Sequence, residues 1–402
     1  MNNFQKMSFF CEKNIYIMPI VSFGTSEVKM SYKKGDLYIW GAGHYGALTA
    51  FDCKIKNIKI KAFIDVNADK IKNKLELPVL TPEEVLFNRS ESYIIVGVQN
   101  EHALLKIIGI LQEAGFRENE HYEYSELMPG TKIRKYFLRL DKEKQPESIK
   151  EIIEFFEQNA FSVFPYKFIF KHKEPAVFYD SDCKMHYVLR NDKKLYMPSE
   201  YDKNETANYY RSLCIEQDKD SPHCYETENY IVKNGDIIAD IGAAEGIWAL
   251  DNVQRASKIY VFESEQKWIK ALEKTFEPWK DKVEIINKFV SNATEENKIT
   301  LDDFFMSRDK INFLKADIEG AELELLLGAK NILEKQSDIK LLLCAYHKEN
   351  DEIMLKDFCE RYNFMTEHSK GYMLFCIDKE LKEPYVRRGL IRAEKLERRA
   401  KA

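Results

Sequence analysis

The chain has 402 residues, 45% of them hydrophobic and 32% charged, which is enough apolar material for two or three globular domains. The net charge of −5 argues against a nucleic-acid partner, and the longest apolar runs are far too short to cross a membrane. The eight cysteines form no C-x-x-C pair and no secretory pattern opens the chain, so we expect a cytoplasmic protein with reduced thiols.

An alternation of strands and helices begins at Asp36 and predicts a small, doubly wound Rossmann-like domain over residues 1–135. Residues 1–34 show no clear pattern, and we expect an irregular arm or an edge strand there. Apolar runs predict strands at 37–40, 58–65 and 93–98. A helix is predicted at 101–114, because Gly115 follows it as a helix terminator.

The first turn of this domain has the spacing G-x-G-x-x-G, made by Gly41, Gly43 and Gly46, with His44 inside it. Asp65 ends the next strand, 19 residues after Gly46. Glycines in such a turn let the backbone approach a pyrophosphate, and the acidic residue binds a ribose. The pattern predicts a site for a nucleotide, a nucleotide sugar or NAD. The alternative is a Rossmann module that serves only for packing or for assembly of a homo-oligomer.

Residues 136–230 are predicted to form a linker and lid. Their patterns indicate an amphipathic helix at 146–159, a hairpin at 177–189 and a second helix at 204–214. A polar stretch that contains His223 comes just before the next strand, which would place this histidine over a cofactor. The alternative is an ordinary helix start at Ser221 and Pro222.

A second alternation starts at Asp236 and predicts a larger α/β domain over 231–385. Its predicted strands lie at 237–241, 258–262, 283–287, 313–317, 340–344 and 372–377. The remaining tail, 386–402, is rich in Arg and Lys and helical in pattern. We expect a solvated helix there, with contact to an anionic membrane surface as the alternative.

The sequence Asp-Ile-Gly-Ala-Ala-Glu-Gly at 240–246 follows the first strand of this second domain. Gly242 lets the backbone approach a ligand, and Gly246 lets a helix pack near the strand. Glu263 ends the next strand, where an acidic side chain binds a ribose. NAD, flavin and S-adenosylmethionine fit this arrangement, as does a glycine turn without a ligand. S-adenosylmethionine is favoured because Asp240 can meet the amino group of a methionine moiety and the G-x-G-x-x-G spacing for a pyrophosphate is missing.

Polar side chains also follow two later strands at the same predicted edge of the sheet. Asp317 needs a partner if it is ionised at a buried strand end, and His347 can accept a proton from a hydroxyl. A hydrogen-bonded structural histidine is the alternative. Glu322 is interpreted as a negative charge that suits a helix N-terminus. Together with Glu319 and Asp351, Asp317 and His347 have the donor atoms for a metal, but no spacing requires one and we expect a metal-free site.

Six motifs follow one another over about residues 205–380 in the order in which FkbM-type methyltransferases have them, and the chain resembles that family here. The motifs are DIGAAEG at 240–246, FE at 262–263, TLDDF at 300–304, KADIEGAE at 315–322, LGA at 327–329 and YH at 346–347. The resemblance implies a seven-stranded class I methyltransferase fold with S-adenosylmethionine as cofactor. It also implies O-methylation of a small acceptor, usually a sugar or polyketide hydroxyl.

From the motifs and this resemblance together we predict two sets of site residues. The cofactor-binding set is Asp240, Gly242, Ala243, Glu245, Gly246, Glu263, Ser264 and Asp317. The catalytic set is Asp317, Glu319, His223 and His347, with no metal. Two alternatives stay open: an NAD-dependent oxidoreductase that uses the N-terminal domain, which lacks a recognisable catalytic Tyr/Lys pair, and a non-catalytic nucleotide-binding scaffold.

Overall fold

A computed structural model describes residues 35–375 and 382–395 of the chain. The predictions for residues 1–34 and for the basic residues after Lys395 lie outside this part. The described residues form two compact units, 35–165 with 382–385 and 166–375 with 386–395. Residues 136–165, the first part of the predicted linker, therefore fold with the N-terminal unit.

The N-terminal unit is a doubly wound α/β sheet. Its strands are β1 (Asp36–Trp40), β2 (Ala62–Ile64), β3 (Asn73–Lys74), β4 (Leu77–Leu80), β5 (Ser92–Val96) and β6 (Tyr122–Tyr124). Its helices are α1 (His44–Ile55), α2 (Ala68–Ile71), α3 (Pro82–Leu86), α4 (Glu101–Glu113), α5 (Pro129–Arg139) and α6 (Glu147–Gln158). The strand order is β3-β4-β2-β1-β5-β6, and all neighbours are parallel except β3 and β4. The order reverses at β1, so the glycine turn after β1 lies where such sheets bind ligands.

The C-terminal unit opens with a small antiparallel sheet, β7 (Phe178–Asp180), β8 (Met185–Arg190) and β9 (Lys193–Tyr196), followed by the helix α7 (Lys203–Glu216). The next strands are β10 (Ile237–Ile241), β11 (Lys258–Phe262), β12 (Val283–Ile286), β13 (Phe289–Val290), β14 (Lys298–Ile299), β15 (Phe313–Ala316), β16 (Lys340–Cys344), β17 (Phe364–His368), β18 (Met373–Leu374), β19 (Val386–Arg387) and β20 (Leu390–Lys395). The helices between them are α8 (Ile247–Asn252), α9 (Gln266–Phe276), α10 (Leu301–Phe304), α11 (Glu322–Leu327), α12 (Lys330–Lys335) and α13 (Asp351–Arg361).

The main sheet of this unit has seven strands in the order β12-β11-β10-β15-β16-β20-β17. β20 runs antiparallel to both of its neighbours, and the pairs from β12 to β16 are parallel. Central strands such as β16 are continuous apolar runs because helices cover both faces, and Leu341, Leu342 and Leu343 are fully buried. This topology confirms the predicted seven-stranded class I methyltransferase fold. Its switch point lies between β10 and β15, where the motif side chains meet.

The end of the chain differs from its prediction. Of the predicted strand at 372–377, the last two residues lie outside the described part, and β18 pairs with β19 rather than with the main sheet. The main sheet ends instead in β20 and β17, neither of which was predicted. The helix predicted for the basic tail is wrong over 386–395. The physical reason is burial: Leu390, Ile391 and Ala393 are fully buried, and the buried guanidinium of Arg392 donates a hydrogen bond to the carbonyl of Tyr225 at 3.0 Å. This stretch is therefore neither a solvated helix nor a membrane-surface helix.

Two expectations from the composition concern membrane-spanning segments and disulfides. None of the helices in the described part is long and apolar enough to cross a membrane. The cysteines of this part are free thiols: Cys53, Cys183, Cys214, Cys224, Cys344 and Cys359.

Candidate active site

The loop between β10 and α8 carries the DIGAAEG motif, and its two glycines are required by packing. Gly242 and Gly246 have φ angles of +69° and +79°, which favour residues without a Cβ. A Cβ on Gly242 would lie 2.1 Å from the carbonyl oxygen of Asp317, and one on Gly246 would lie 2.7 Å from Leu272 of α9. Gly242 therefore brings the loop against the end of β15, while Gly246 packs against α9 rather than against a strand.

Substituting alanine for Gly242 is expected to destabilise the protein more than the same change at Gly235. Both glycines have positive φ angles, but a Cβ on Gly235 meets no atom within 4 Å. The two variants share the cost of about 1 kcal/mol for a left-handed alanine. The clash with Asp317 adds roughly 1–3 kcal/mol at Gly242 only. Chemical denaturation of both variants measures this difference, and equal free energies of unfolding would contradict the close approach.

Glu263 lies at the end of β11, as predicted, but its carboxylate faces the loop. It accepts hydrogen bonds from the backbone N–H groups of Ala244, Ser264 and Glu265, at 2.8, 2.7 and 2.8 Å. The bond to Ala244 holds the DIGAAEG loop to the end of β11, and the other two orient the carboxylate locally. The predicted contact with a ribose stays a prediction.

A pocket lies between α7 and the carboxyl ends of β10, β15 and β16. Five residues predicted for the site line it: Asp240, Ala243, Glu245, Asp317 and Glu319. Tyr209 of α7 lines it too, and its hydroxyl donates a buried hydrogen bond of 2.7 Å to Glu245. This bond ties α7 to the DIGAAEG loop, so part of the predicted lid forms one wall of the site.

Asp240 and Lys315 form a buried ion pair on the floor of this pocket. They are register partners on the parallel strands β10 and β15, and Asp240 Oδ1 lies 3.0 Å from Lys315 Nζ. Their side chains are 1% and 4% exposed. Burial lowers the pKa of Lys315, but the carboxylates of Asp240 and Asp317 outweigh it and raise the pKa above its ordinary value, so Lys315 stays charged.

Asp317 is held by two tyrosine hydroxyls at the rim of the pocket. Tyr225 donates a hydrogen bond of 3.0 Å to one oxygen, and Tyr346 donates one of 3.4 Å to the other. Burial, together with the negative charge of Asp317, raises the pKa of both phenols well above the ordinary value. Both tyrosines therefore remain hydrogen-bond donors, and Asp317 remains the acceptor at the centre of the cluster.

His347 lies beside Asp317 at the predicted edge of the sheet, but it is surrounded by negative charge. Its Nδ1 lies 3.2 Å from Glu322, and its Nε2 lies 3.4 Å from Asp317 and 3.8 Å from Glu319. Burial lowers the pKa of His347, but these carboxylates outweigh it and raise the pKa to about 9. A protonated imidazole cannot accept a proton from a hydroxyl, so the structure favours Asp317 rather than His347 as the base.

The residues that cluster around His347 are not the set of possible metal ligands that the sequence suggested. Asp317, Glu322 and His347 have ligand atoms within 4.8 Å of one another. Glu322 also accepts a hydrogen bond of 2.9 Å from the backbone N–H of Ile318, in keeping with its predicted place at a helix N-terminus. The two imidazole nitrogens face different carboxylates, which suits an imidazolium with two N–H groups, whereas a metal takes one nitrogen lone pair. The metal-free site stays a prediction.

His223 reaches the site through another side chain. It is 2% exposed, and its Nε2 lies 3.3 Å from the hydroxyl of Tyr346, which in turn contacts Asp317. No helix begins at Ser221, whose hydroxyl instead accepts a hydrogen bond from the backbone N–H of His223 at 3.1 Å. The helix-start alternative is therefore wrong, and His223 supports Tyr346 without itself lining the pocket.

The glycine turn after β1 in the N-terminal unit has the predicted form. A Cβ on Gly46 would lie 1.8 Å from the carbonyl oxygen of Gly41, so close packing requires this glycine. Gly43, by contrast, faces open space and precedes α1 without a side-chain cap, beside the exposed His44. Asp65 accepts a hydrogen bond of 2.9 Å from the backbone N–H of Ala42 in this turn. Nucleotide binding here stays a prediction.

Sequence reasoning assigned no role to Tyr209, Tyr225, Lys315 and Tyr346, all of which line the pocket. Lys315 and Tyr346 stand inside motifs that carry the family resemblance, next to residues that were assigned roles. Their position inside these motifs is the signal from which a role for them could have been predicted. Tyr225 stands in the polar stretch with His223, which looks like a segment found just upstream of the first strand in some members of the family. Tyr209 had no comparable signal, because α7 lies outside the strand-end pattern.

The comparisons with known proteins agree with this geometry. Residues 270–374 match the family model described as the Methyltransferase FkbM domain. Within these residues the chain is similar to the FkbM methyltransferase family, as its motifs predict. No curated protein matches the chain.

Solved structures similar to this chain include other methyltransferases. One is methyltransferase FkbM from Methylobacillus flagellatus KT, with 14% identity, 89% coverage of each chain and a TM-score of 0.45. Another is precorrin-6y C5,15-methyltransferase from Geobacter metallireducens GS-15, with 15% identity, coverage of 41% of this chain and 82% of that chain, and a TM-score of 0.29.

Proposed function

We propose that this methyltransferase transfers a methyl group from S-adenosylmethionine to a hydroxyl of a sugar or a related small molecule. The observation that carries the proposal is the carboxylate of Asp317, held by Tyr225 and Tyr346 in the pocket that the DIGAAEG loop lines. The polar atoms of the pocket also fit the cofactor. Apart from the ion pair with Lys315 at Oδ1, the buried oxygens of Asp240 have no hydrogen-bond partner among the described residues, as expected where a ligand supplies a further donor.

The residues around Asp317 are suited to removing a proton. S-adenosylmethionine supplies an electrophilic methyl group, whose transfer to a hydroxyl oxygen gives an ether and S-adenosylhomocysteine and releases one proton. Asp317 takes this proton as the general base. Tyr225 and Tyr346 orient its carboxylate by hydrogen bonds, and the His347 imidazolium holds it from another side. Positioning of the acceptor against the methyl group supplies much of the remaining acceleration.

A sugar acceptor agrees with the chemistry of the walls. The side chains of Tyr209, Tyr225, Trp248 and Tyr346 line the pocket beside its carboxylates. Aromatic faces with polar edges suit a sugar ring, which presents both C–H faces and hydroxyls. The choice of a sugar over another hydroxyl compound rests on the family resemblance together with this lining.

Calorimetric titration of the full chain tests the proposal against its alternatives. S-adenosylhomocysteine, NAD and UDP-glucose are titrated separately into the protein. We expect heat of binding with S-adenosylhomocysteine. Absence of that heat would contradict the proposed function, and heat with NAD alone would favour the oxidoreductase.

Replacing Glu263 by alanine is expected to weaken S-adenosylhomocysteine binding by at least about tenfold. The carboxylate of Glu263 accepts one hydrogen bond from the loop, at Ala244, and a charge-assisted bond of this kind is worth about 1.5–3 kcal/mol. The matched control is Asp65→Ala, because Asp65 makes the corresponding backbone contact in the N-terminal glycine turn. The control should bind S-adenosylhomocysteine as the wild type does. Loss of binding in Asp65→Ala instead would mean that the sites are assigned to the wrong units.

A further inference from the structure

Lys315 stands out by its charge among the residues that line the pocket. The lining includes five acidic residues: Glu216, Asp240, Glu245, Asp317 and Glu319. Within the part of the chain that the structure describes, Lys315 is the one Lys or Arg of the lining. A ligand with a carboxylate meets repulsion from most of these walls, and Lys315 is the group placed to attract it.

The buried ion pair of Lys315 also leaves hydrogen-bonding capacity unused. A lysine ammonium carries three N–H donors. One donates to the carbonyl oxygen of Gly242 at 3.0 Å, and Asp240 Oδ1 lies at 3.0 Å from the same nitrogen. Apart from this ion pair, neither oxygen of Asp240 has a hydrogen-bond partner among the described residues. Buried charges are costly unless their donors and acceptors are satisfied, so both partners are prepared for further polar contacts.

We propose that Asp240 and Lys315 together form a subsite for an amino-acid zwitterion, in which Lys315 binds the carboxylate of the methionine end of the cofactor. This inference rests on the proposed function and adds a residue to it. Asp240 takes the ammonium of the same moiety, so positive and negative groups alternate around the subsite. Without a ligand the two side chains neutralise each other, which explains how a charged subsite is stable in a buried place. The subsite selects cofactors that carry the whole amino-acid end.

Binding measurements with and without the carboxylate test the subsite. The full chain is titrated with S-adenosylhomocysteine, with its decarboxylated analogue and with 5′-methylthioadenosine, which lacks the amino-acid end. A charge-assisted hydrogen bond predicts that loss of the carboxylate weakens binding to the wild type by about 10- to 100-fold. In Lys315→Met, we expect the affinity for S-adenosylhomocysteine to fall by the same factor. The affinity for 5′-methylthioadenosine should stay within about threefold of wild type.

Controls separate this role from a structural one. Lys348→Met makes the same substitution at an exposed lysine outside the lining and should leave all three affinities unchanged. Because Lys315→Met leaves Asp240 buried and unpaired, the neutral double variant Asp240→Asn with Lys315→Met provides a second protein. It should bind S-adenosylhomocysteine and the decarboxylated analogue with similar affinity.

The outcomes distinguish the two proposals. A wild-type protein that binds none of the three ligands overturns the proposed function. A wild-type protein that binds S-adenosylhomocysteine and its decarboxylated analogue equally well overturns the subsite alone. Equal losses for S-adenosylhomocysteine and 5′-methylthioadenosine in Lys315→Met, or a double variant that still prefers the carboxylate, also overturn it.

Discussion

Replacing Asp317 by asparagine is expected to lower kcat by about 100- to 10,000-fold, the usual contribution of a general base. An amide keeps the shape of the carboxylate and still accepts a hydrogen bond, but it cannot take a proton at neutral pH. The affinity for S-adenosylhomocysteine should change by less than about threefold, since the amide oxygen can still accept from one tyrosine hydroxyl while the NH2 group donates to the other. The measurement is single-turnover methylation of an acceptor found by screening sugars, with calorimetry for the cofactor.

The control for this variant is Asp281→Asn, which makes the same change at an exposed carboxylate of the same unit. It should keep the wild-type kcat. A structural role for Asp317 would lower cofactor affinity and thermal stability together with turnover. If Asp317→Asn keeps wild-type turnover, Asp317 is not the base and the proton leaves by another route.

Raising the pH from about 6.5 to above 9 is expected to remove on the order of 3 kcal/mol from the free energy of unfolding. The pKa of His347 is raised from 6.5 to about 9 in the folded protein, mainly by Glu322 and Asp317 acting against its burial. A raised histidine pKa stabilises the folded state fully below the unfolded value and loses this effect as the pH rises through the folded value. Stability should therefore fall across this window.

Other groups facing His347 do not produce this fall. Glu319, Glu322 and Asp351 supply negative charge from the loop before α11, from α11 and from α13 respectively, and Lys348 adds a positive charge nearby. Burial raises the pKa of Asp351 to about 6, so most of its titration lies below the window and it contributes little to the fall. Denaturant unfolding at pH 6.5, 8 and 9.5 should show a much flatter profile for His347→Gln than for wild type. His44→Gln, at an exposed histidine, should keep the wild-type profile, and equal profiles for His347→Gln and wild type would contradict the buried imidazolium.

The two predictions concern neighbouring side chains, Asp317 and His347, both of which belong to the catalytic set predicted from the sequence. Both Asp317 and His347 follow a strand at the carboxyl edge of the sheet, as their positions in the motifs predicted. Their charge states depend on Tyr225, Glu322 and Tyr346, which come from separate elements. A hydroxyl donor at 3.0 Å favours a carboxylate acceptor, whereas carboxylates on both sides of an imidazole keep it protonated. Of these two members of the predicted catalytic set, the contacts favour Asp317 as the proposed base.

The local pattern of the chain determined the fold class and the place of the site. Alternating strands and helices predict an α/β sheet, and parallel strands bring side chains at their carboxyl ends to one edge. Asp240, Glu263 and Asp317 each end or directly follow a strand, so their order along the sequence was sufficient to place them. The glycines of DIGAAEG predicted close packing for a similar local reason, because a residue without a Cβ allows near approach.

Only the tertiary structure decided the contacts between distant segments. The hydroxyl of Tyr225 meets Asp317 across 92 residues, and the guanidinium of Arg392 reaches the carbonyl of Tyr225 across 167. The basic tail forms the strand β20 of the main sheet, where Leu390, Ile391 and Ala393 are fully buried. Residue type determines which contacts a side chain can make, but burial and charge from other segments determine its protonation and its partner. For this reason the motif predicted the site, whereas the roles of Lys315 and His347 within it required the folded arrangement.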